Sequence, residues 1–244
     1  MALYRDRGVV LRTIRLGEAD RIVTLATEGR GKVRAVVKGV RKTRSRFGAR
    51  LEPLSHVAMM CWQGRELDVV TQAEVLDTFR PVREDLDRLR RATSMLEVVD
   101  QISQEGHANP RLYRMLLGAL STLAVQGSPL VAPAFFWKVL ALEGSGPVLD
   151  ACARCGAAEP DGAALVAFDL GEGGMLCRSC RRGVAVSPGA LALVRRILGG
   201  DLAGAMASAP APSALTAEVD HLAGLALEHH LERRLRSLHV LDRG

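Results

Sequence analysis

The chain has 244 residues, of which 48% are hydrophobic, and it carries a formal net charge of +6 with a pI of about 9.4. This length suffices for one large domain or for two to three small ones. The N-terminal run MALYRDRGVVLRT has no long apolar core and no small-residue cleavage site, so we expect no signal peptide. No stretch approaches the length needed to span a bilayer. These features argue against the secreted and membrane classes and predict a cytoplasmic protein.

The positive charge is concentrated in the first 50 residues. They hold 14 of the 33 Lys and Arg but only four of the 27 Asp and Glu, which gives them a net charge of +10. The rest of the chain holds 19 basic and 23 acidic side chains, a net charge of −4. Such polarity is typical of a nucleic-acid-binding module joined to a part with another task.

Five short strands are predicted before the first helix. Hydrophobic alternation and turn residues place them at residues 8–14, 20–27, 31–38, 54–62 and 67–76. Five strands of this length favour a small closed barrel, and the OB-fold is the commonest such barrel that binds nucleic acid. An SH3-like barrel is the alternative, because the strand count alone does not separate the two.

The third strand and the connection after it are strongly basic. Cations alternate with aliphatic residues over 32–38, so a strand there presents its cations on one face. The connection that follows has no acid before Glu52. A run this dense predicts a polyanionic partner, with DNA phosphates as its ligands. The predicted phosphate-binding residues are Lys32, Arg34, Lys38, Arg41, Lys42, Arg44, Arg46 and Arg50.

Aromatic side chains are few in this region, so we expect DNA binding through the phosphate backbone with little base specificity. Phe47 lies inside the basic connection and is the candidate stacking ring, with packing on the barrel rim as an equal alternative. Trp62 precedes a turn and is predicted to belong to the core. Cys61 has no paired cysteine nearby and is predicted to be a small buried side chain.

Helical periodicity replaces the strand pattern after Pro81. Helices are predicted over residues 82–105, 109–127 and 129–143, the second of them capped by Asn109-Pro110. A fourth helix begins at Ser187-Pro188 and a last one covers residues 214–238, after a loop at 203–213. The apolar stripes of these helices predict a bundle.

Four cysteines between the helices form two pairs, Cys152-x-x-Cys155 and Cys177-x-x-Cys180. Two such pairs complete a tetrahedral sulfur shell, so we predict one zinc ion with these four ligands. Because the protein fills all four positions, the zinc is predicted to be structural and not catalytic. The arginines that could balance the charge of the thiolates are Arg154, Arg178, Arg181 and Arg182.

The sequence has no phosphate-binding loop, no H-E-x-x-H motif and no G-x-S-x-G motif. It therefore predicts a binding protein without catalytic residues. Two rival classes remain open. An enzyme acting on nucleic acid would need acidic metal ligands, for which Glu18 and Asp20 are the nearest acids to the basic face. A zinc-ribbon transcription or adaptor factor would bind duplex DNA through residues 178–182.

The order of modules, together with several local runs, resembles the RecO family of bacterial DNA repair proteins. The N-terminal runs are GVVLR at 8–12, GEADRIVTL at 17–25, GK at 31–32, KGVRK at 38–42, SRFG at 45–48 and LEP at 51–53. Further matches are Gly144, Pro147, both cysteine pairs, and Gly173-Gly174 before Leu176-Cys177. The resemblance covers about residues 3–200.

The resemblance implies an α+β multidomain chain. An OB-fold DNA-binding domain would occupy residues 1–80, a helical domain residues 81–147 and 185–244, and an inserted four-cysteine zinc finger residues 148–184. The family's properties imply binding of single- and double-stranded DNA and annealing of complementary strands. They also imply cooperation with RecR in loading RecA onto DNA coated by single-strand-binding protein (SSB), and association with the nucleoid during repair.

The same resemblance implies contact with the acidic, hydrophobic tail of SSB. We expect its receptor on the helical domain to be an apolar groove beside cations. The candidate cations are Arg111, Arg114 and Lys138, near Leu112 and Phe135.

Overall fold

The computed structural model describes residues 2–40, 47–159, 164–209 and 213–239. The chain forms two compact units, Met1–Gln126 and Gly127–Gly244, and each is described by itself.

The first unit begins with a closed five-stranded barrel. Its strands are β1 (Leu3–Leu16), β2 (Asp20–Thr27), β3 (Gly31–Val37), β4 (His56–Trp62) and β5 (Asp68–Asp77). Their order around the barrel is β1-β2-β3-β5-β4, and β4 closes it by pairing with β1. The β3–β5 pair is parallel, whereas the other pairs are antiparallel. This arrangement is an OB-fold, so the prediction of an OB-fold over an SH3-like barrel is confirmed.

Alternation along the strands determines which side chains form the core of the barrel. Val33, Ala35 and Val37 of β3 point inward and are buried, while the residues between them face outward. Cys61 is fully buried, as predicted, and burial raises the pKa of its thiol to about 12. Trp62 corrects the sequence prediction, because it is 43% exposed. It follows the inward-facing Cys61 and therefore points out of the barrel.

In the described part of the first unit, three helices follow the barrel: α1 (Arg80–Arg83), α2 (Leu86–Ile102) and α3 (Pro110–Gln126). The single helix predicted over 82–105 is thus divided. The first piece ends at Glu84, and Asp85 begins the second, because its carboxylate accepts a hydrogen bond from the Arg88 backbone N–H at 3.0 Å. Helix α2 packs against β1 and β2, which covers part of the barrel's outer surface.

The second unit combines helices with a small three-stranded sheet. Its elements are α4 (Val131–Leu142), β6 (Leu165–Asp169), β7 (Gly174–Cys177), β8 (Val184–Ala185), α5 (Pro188–Leu198), α6 (Leu202–Ser208), α7 (Ala214–Leu231) and α8 (Arg236–His239). Helix α4 is buried along most of its length and packs against α5 and α7. Among the described residues, no helix is both long and apolar enough to cross a bilayer.

Two predictions in this unit are wrong. The segment predicted as a loop from residue 203 begins with helix α6, which Asp201 caps through a hydrogen bond from the Gly204 backbone N–H at 3.0 Å. The long final helix is interrupted, because Glu232 has a left-handed φ of 50° and ends α7. A short helix, α8, follows.

Candidate nucleic-acid interface and metal centre

The predicted DNA-binding residues fall into two groups. Arg41, Lys42, Arg44 and Arg46 lie outside the described residues. The remaining five, Lys32, Arg34, Lys38, Phe47 and Arg50, have described positions in the first unit.

Acids from the helical part of the first unit neutralise the cations on the outer face of β3. The Lys32 ammonium lies 3.3 Å from a carboxylate oxygen of Asp100 on α2 and donates a hydrogen bond to the Asp100 backbone carbonyl. Arg12 of β1 donates to the other oxygen of the same carboxylate at 2.6 Å. Both Lys32 and Asp100 keep only 17% of their side-chain surface exposed. Arg34 lies 3.7 Å from Glu105, in the turn after α2.

These contacts revise the prediction for Lys32. Its charge is balanced and partly buried, so in this structure it joins the barrel to α2 and does not present a cation to solvent. Sequence reasoning missed this because the partner, Asp100, lies 68 residues further along the chain. No local pattern signals such a contact.

Lys38, Arg50 and Phe47 differ in their access to a ligand. Lys38 is exposed just after β3 and makes no ion pair with any described residue. Arg50 is exposed. Phe47 is only 2% exposed and packs in the barrel core beside Leu51, so the packing alternative holds and the ring is not available for stacking.

A small cleft beside β3 contains two further cations that sequence reasoning did not select. Its volume is about 190 Å³, and its walls include Arg30, Arg65 and the already paired Arg34. The Arg30 guanidinium lies 3.8 Å from the centre of the Tyr4 ring, while the Tyr4 hydroxyl donates to Asp68 at 2.5 Å. The turn from β4 to β5, which contributes Arg65, is one of the regions through which OB-folds bind nucleic acids.

The second unit brings the four predicted cysteines together. The sulfur atoms of Cys152, Cys155, Cys177 and Cys180 all lie within 4.8 Å of one another. The Cys155 and Cys177 sulfurs are 3.8 Å apart. A tetrahedron with metal–sulfur bonds of about 2.3 Å has edges of about 3.8 Å, so this spacing fits a four-thiolate metal site. The predicted ligand set is therefore confirmed as a cluster that can bind a metal ion.

Local backbone structure positions these four cysteines and favours the thiolate form of one of them. Cys152 and Cys155 lie on a tight turn, Cys177 ends β7, and Cys180 closes the turn of 3-10 helix Arg178–Cys180 that follows. Backbone N–H groups, first that of Cys177 and then those of Cys155 and Arg154, donate hydrogen bonds to the Cys152 sulfur. They lower its pKa to about 6, which favours the thiolate that a metal binds.

The arginines near the cluster do not share one role. Arg182 donates to Asp169 at 2.8 Å and to Glu172 at 2.6 Å, so carboxylates already balance its charge. Arg154, Arg178 and Arg181 are exposed.

The candidate cations for an acidic partner lie on two helices. Arg111 and Arg114 are exposed on α3 of the first unit, and Lys138 is partly buried on α4 of the second. Leu112 and Phe135, which were expected to supply apolar contacts beside them, are buried at 3% and 2% exposure. These two side chains belong to the packed interior and cannot line an open groove in this structure.

Comparison with known proteins covers almost the whole chain. The family model described as "Recombination protein O N terminal" matches residues 1–79, and the one described as "Recombination protein O C terminal" matches residues 83–239. A protein named "DNA repair protein RecO" from Frankia casuarinae is 44% identical over all of this chain and all of its own length. A protein of the same name from a Nocardioides species is 42% identical over 99% of this chain and all of its own.

Proposed function

The chain belongs to the RecO family of DNA repair proteins, and on that premise we propose that it is a non-enzymatic mediator of recombinational repair. It binds single- and double-stranded DNA and anneals complementary strands. Together with RecR it helps to load RecA onto single-stranded DNA coated with SSB, at the nucleoid. The observation that carries the DNA-binding part is the net charge of +10 in the first 50 residues, which form the first three strands of the barrel and the connection after them.

The DNA surface we propose is narrower than the whole cationic set. Lys32 is tied to Asp100, so we assign it to the scaffold. Arg34 stays in the set because its 3.7 Å ion pair with Glu105 is solvent-exposed. The proposed phosphate-binding residues are Arg34, Lys38, Arg41, Lys42, Arg44, Arg46 and Arg50. Phosphate binding by these side chains releases condensed counterions, which supplies affinity without reading sequence.

Annealing follows from the same electrostatics. Two complementary strands repel each other through their phosphates, and a cationic surface that holds both lowers this repulsion. Because these cations contact phosphates, they leave the hydrogen-bonding edges of the bases free to search for the pairing register. The protein needs no reacting group for this step, in keeping with a non-enzymatic role.

We propose that the four-cysteine cluster holds a structural zinc ion. Tetrahedral coordination by four thiolates is the usual arrangement of structural zinc in proteins. The three-stranded sheet beside the cluster is small, so a bound metal would supply much of the local folding free energy. A closed sulfur shell leaves no position for a reactive water molecule.

For the acidic tail of SSB we propose electrostatic contacts with Arg111 and Arg114 on α3 of the first unit, and Lys138 on α4 of the second unit is a separate candidate. Because Leu112 and Phe135 are buried, the structure supports charged contacts with the tail but not an apolar groove formed by these two side chains. Replacing Arg111 and Arg114 by glutamate should weaken binding of an SSB tail peptide. Unchanged binding would remove α3 from the assignment.

The experiment that tests the proposed function is annealing of complementary strands coated with SSB. The variant replaces Arg41, Lys42, Arg44 and Arg46 by alanine, and zinc content is measured on both proteins. We expect the wild type to anneal, and the variant to retain its zinc but anneal poorly. Equal annealing by both proteins would place the DNA surface elsewhere and contradict the proposal.

A further inference from the structure

The outer surface of the barrel carries a continuous row of apolar side chains. Strand register links them one to the next across all five strands. In order they are Ile14 of β1, Ile22 of β2, Val36 of β3, Val69 of β5, Trp62 of β4 and, at the other end of β1, Leu3. We call these six residues the apolar belt.

The belt is not part of the barrel core. Ile14, Leu3 and Trp62 are 49%, 47% and 43% exposed, and the other three members are partly exposed. None of the six belongs to the buried cluster inside the barrel. Strands with one solvated face normally carry polar residues there, and a contiguous exposed apolar surface marks a binding site.

Cations flank the belt. Three cations lie two residues from a belt member on the same strand, and therefore on the same face: Arg5 and Arg12 on β1, and Arg34 on β3. Lys38 lies just after the end of β3. Among the described residues, Arg5 and Lys38 have no ion-pair partner, and both are exposed. The nearby Asp20 carboxylate is engaged, since it accepts a hydrogen bond from the Gly39 backbone N–H at 2.7 Å. The ligand that suits this surface has an apolar body and carries negative charge.

We infer that the apolar belt binds the bases of single-stranded DNA, with Trp62 as the residue that stacks on a base. This rests on the proposed function, because it assumes that the barrel binds DNA. A duplex hides its base faces in its own stack and offers mainly phosphates, whereas a single strand exposes both. The belt has one ring among aliphatic side chains, so it gives preference for single strands and little preference for sequence.

The dimensions of the belt agree with this ligand. The belt begins and ends on β1 and so runs once around the closed barrel. The three strand-to-strand steps from Ile22 to Trp62, at about 4.8 Å each, cover about 14 Å of its surface. OB-folds bind about four or more nucleotides of a single strand. The belt includes Ile22 and Val36, on the β2–β3 face that OB-folds use for oligonucleotides, and Trp62, beside the β4–β5 turn that they also use.

Tryptophan fluorescence reports directly on this site. The chain has two tryptophans, and the other, Trp137, is fully buried. Addition of a 15-nucleotide oligo-dT should quench the emission of the wild type. The Trp62→Phe variant, which keeps Trp137, should show no quenching while still binding the oligonucleotide in a fluorescence-anisotropy assay.

Affinity supplies the second readout. Trp62→Ala should weaken oligo-dT binding by about 5- to 150-fold, the range expected when one base–aromatic stack is lost. Duplex binding and the salt dependence should stay as in the wild type, because no charge is removed. The matched control is Leu76→Ala, a similarly exposed residue of β5 outside the belt, which should bind oligo-dT like the wild type.

The outcomes separate this inference from the proposed function. Normal binding of oligo-dT by Trp62→Ala, or binding to the wild type without any quenching, would overturn the belt assignment and leave DNA binding intact. That result would favour a protein partner for the belt. Absence of any DNA binding by the wild type would overturn both. If Trp62→Ala fails to fold, the comparison of fluorescence quenching between the wild type and Trp62→Phe tests the belt assignment instead.

Discussion

Lys32 and Lys38 lie near the two ends of β3 but in different electrostatic surroundings. Lys32 shares Asp100 with Arg12, and two cations around one carboxylate join β1 and β3 to α2. Lys38 is exposed and unpaired within the described part of the chain. The same residue type therefore has a scaffold role at one position and, at the other, is exposed where we propose that DNA binds.

This difference predicts opposite effects of two alanine substitutions. Lys32→Ala should lower the free energy of unfolding by about 1–2 kcal/mol, because the partly buried Asp100 loses a charged partner. Lys38→Ala should leave stability within about 0.5 kcal/mol of the wild type. It should instead reduce the slope of log affinity against log salt on single strands by about 0.7.

Urea unfolding and DNA titrations over a range of salt concentrations measure both quantities on both variants. Each variant is the control for the other, since each removes one lysine from the same strand region. A reduced salt slope for Lys32→Ala with unchanged stability would show that Lys32 binds DNA phosphates and does not stabilise the fold.

At the scale of elements, the turn after α2 is fixed against the start of β3. Gly31 has a positive φ of 69°, and a Cβ atom there would lie 2.1 Å from the His107 carbonyl oxygen and 2.7 Å from that of Gln104. The Lys32 backbone N–H donates to the Gln104 carbonyl at 3.0 Å. Only glycine combines this conformation with such a close backbone approach.

Gly31→Ala should therefore destabilise the protein by about 3 kcal/mol or more, since it adds a steric clash to an unfavourable φ. The matched control is Gly17→Ala, where φ is 56° but no atom lies within 4 Å of the added Cβ. That variant should lose only about 1–2 kcal/mol from the left-handed backbone. Equal losses in urea unfolding would show that the contact with the 104–107 turn contributes nothing.

The cluster of four cysteines gives a second prediction at the scale of elements. If the cluster holds the structural zinc that we propose, Cys155→Ser should abolish stoichiometric zinc binding and make the segment around residues 150–185 sensitive to protease, because the metal would supply much of its folding free energy. Cys61→Ala is the control, since Cys61 is buried in the barrel and should not affect zinc content. Metal analysis and limited proteolysis read out both variants. Full zinc retention by Cys155→Ser would exclude Cys155 as a ligand.

The elements differ in how far the sequence predicts them. The barrel strands follow from period-2 alternation and turn glycines, which are local signals, and the cysteine cluster follows from pair spacing alone. The outward direction of Trp62 does not follow from the sequence, because Ala58, Met60 and Trp62 are as apolar as the alternate residues of β4. Only the fold shows that Val57, Met59 and Cys61 point inward. The sequence does not predict the end of α7 at Glu232, because no glycine or proline lies there.

Long-range pairings account for most of what the sequence does not predict in the candidate site. The contact of Asp100 with Lys32 and Arg12 depends on how α2 packs against the barrel. The same holds for the apolar belt, whose members are separate in the sequence and become neighbours only through strand register.

At the scale of the whole molecule, the charge polarity of the sequence separates two candidate DNA surfaces. One is the barrel with its basic connection. The other is the exposed pair Arg178 and Arg181 beside the metal cluster, which a zinc-ribbon transcription or adaptor factor would use. Arg182 is less suited to phosphate because Asp169 and Glu172 already balance its charge.

Two double variants of equal charge loss distinguish these surfaces in the full-length protein. Arg41→Ala/Lys42→Ala should reduce the salt slope on single strands by about 1.4, because two phosphate contacts are lost. Arg178→Ala/Arg181→Ala should leave the slope and the annealing rate close to those of the wild type. The reverse result, with sequence-specific duplex binding lost only in the second variant, would favour the zinc-ribbon factor. Since both variants keep all four cysteines, equal zinc content shows that any difference arises from DNA contacts and not from loss of the metal.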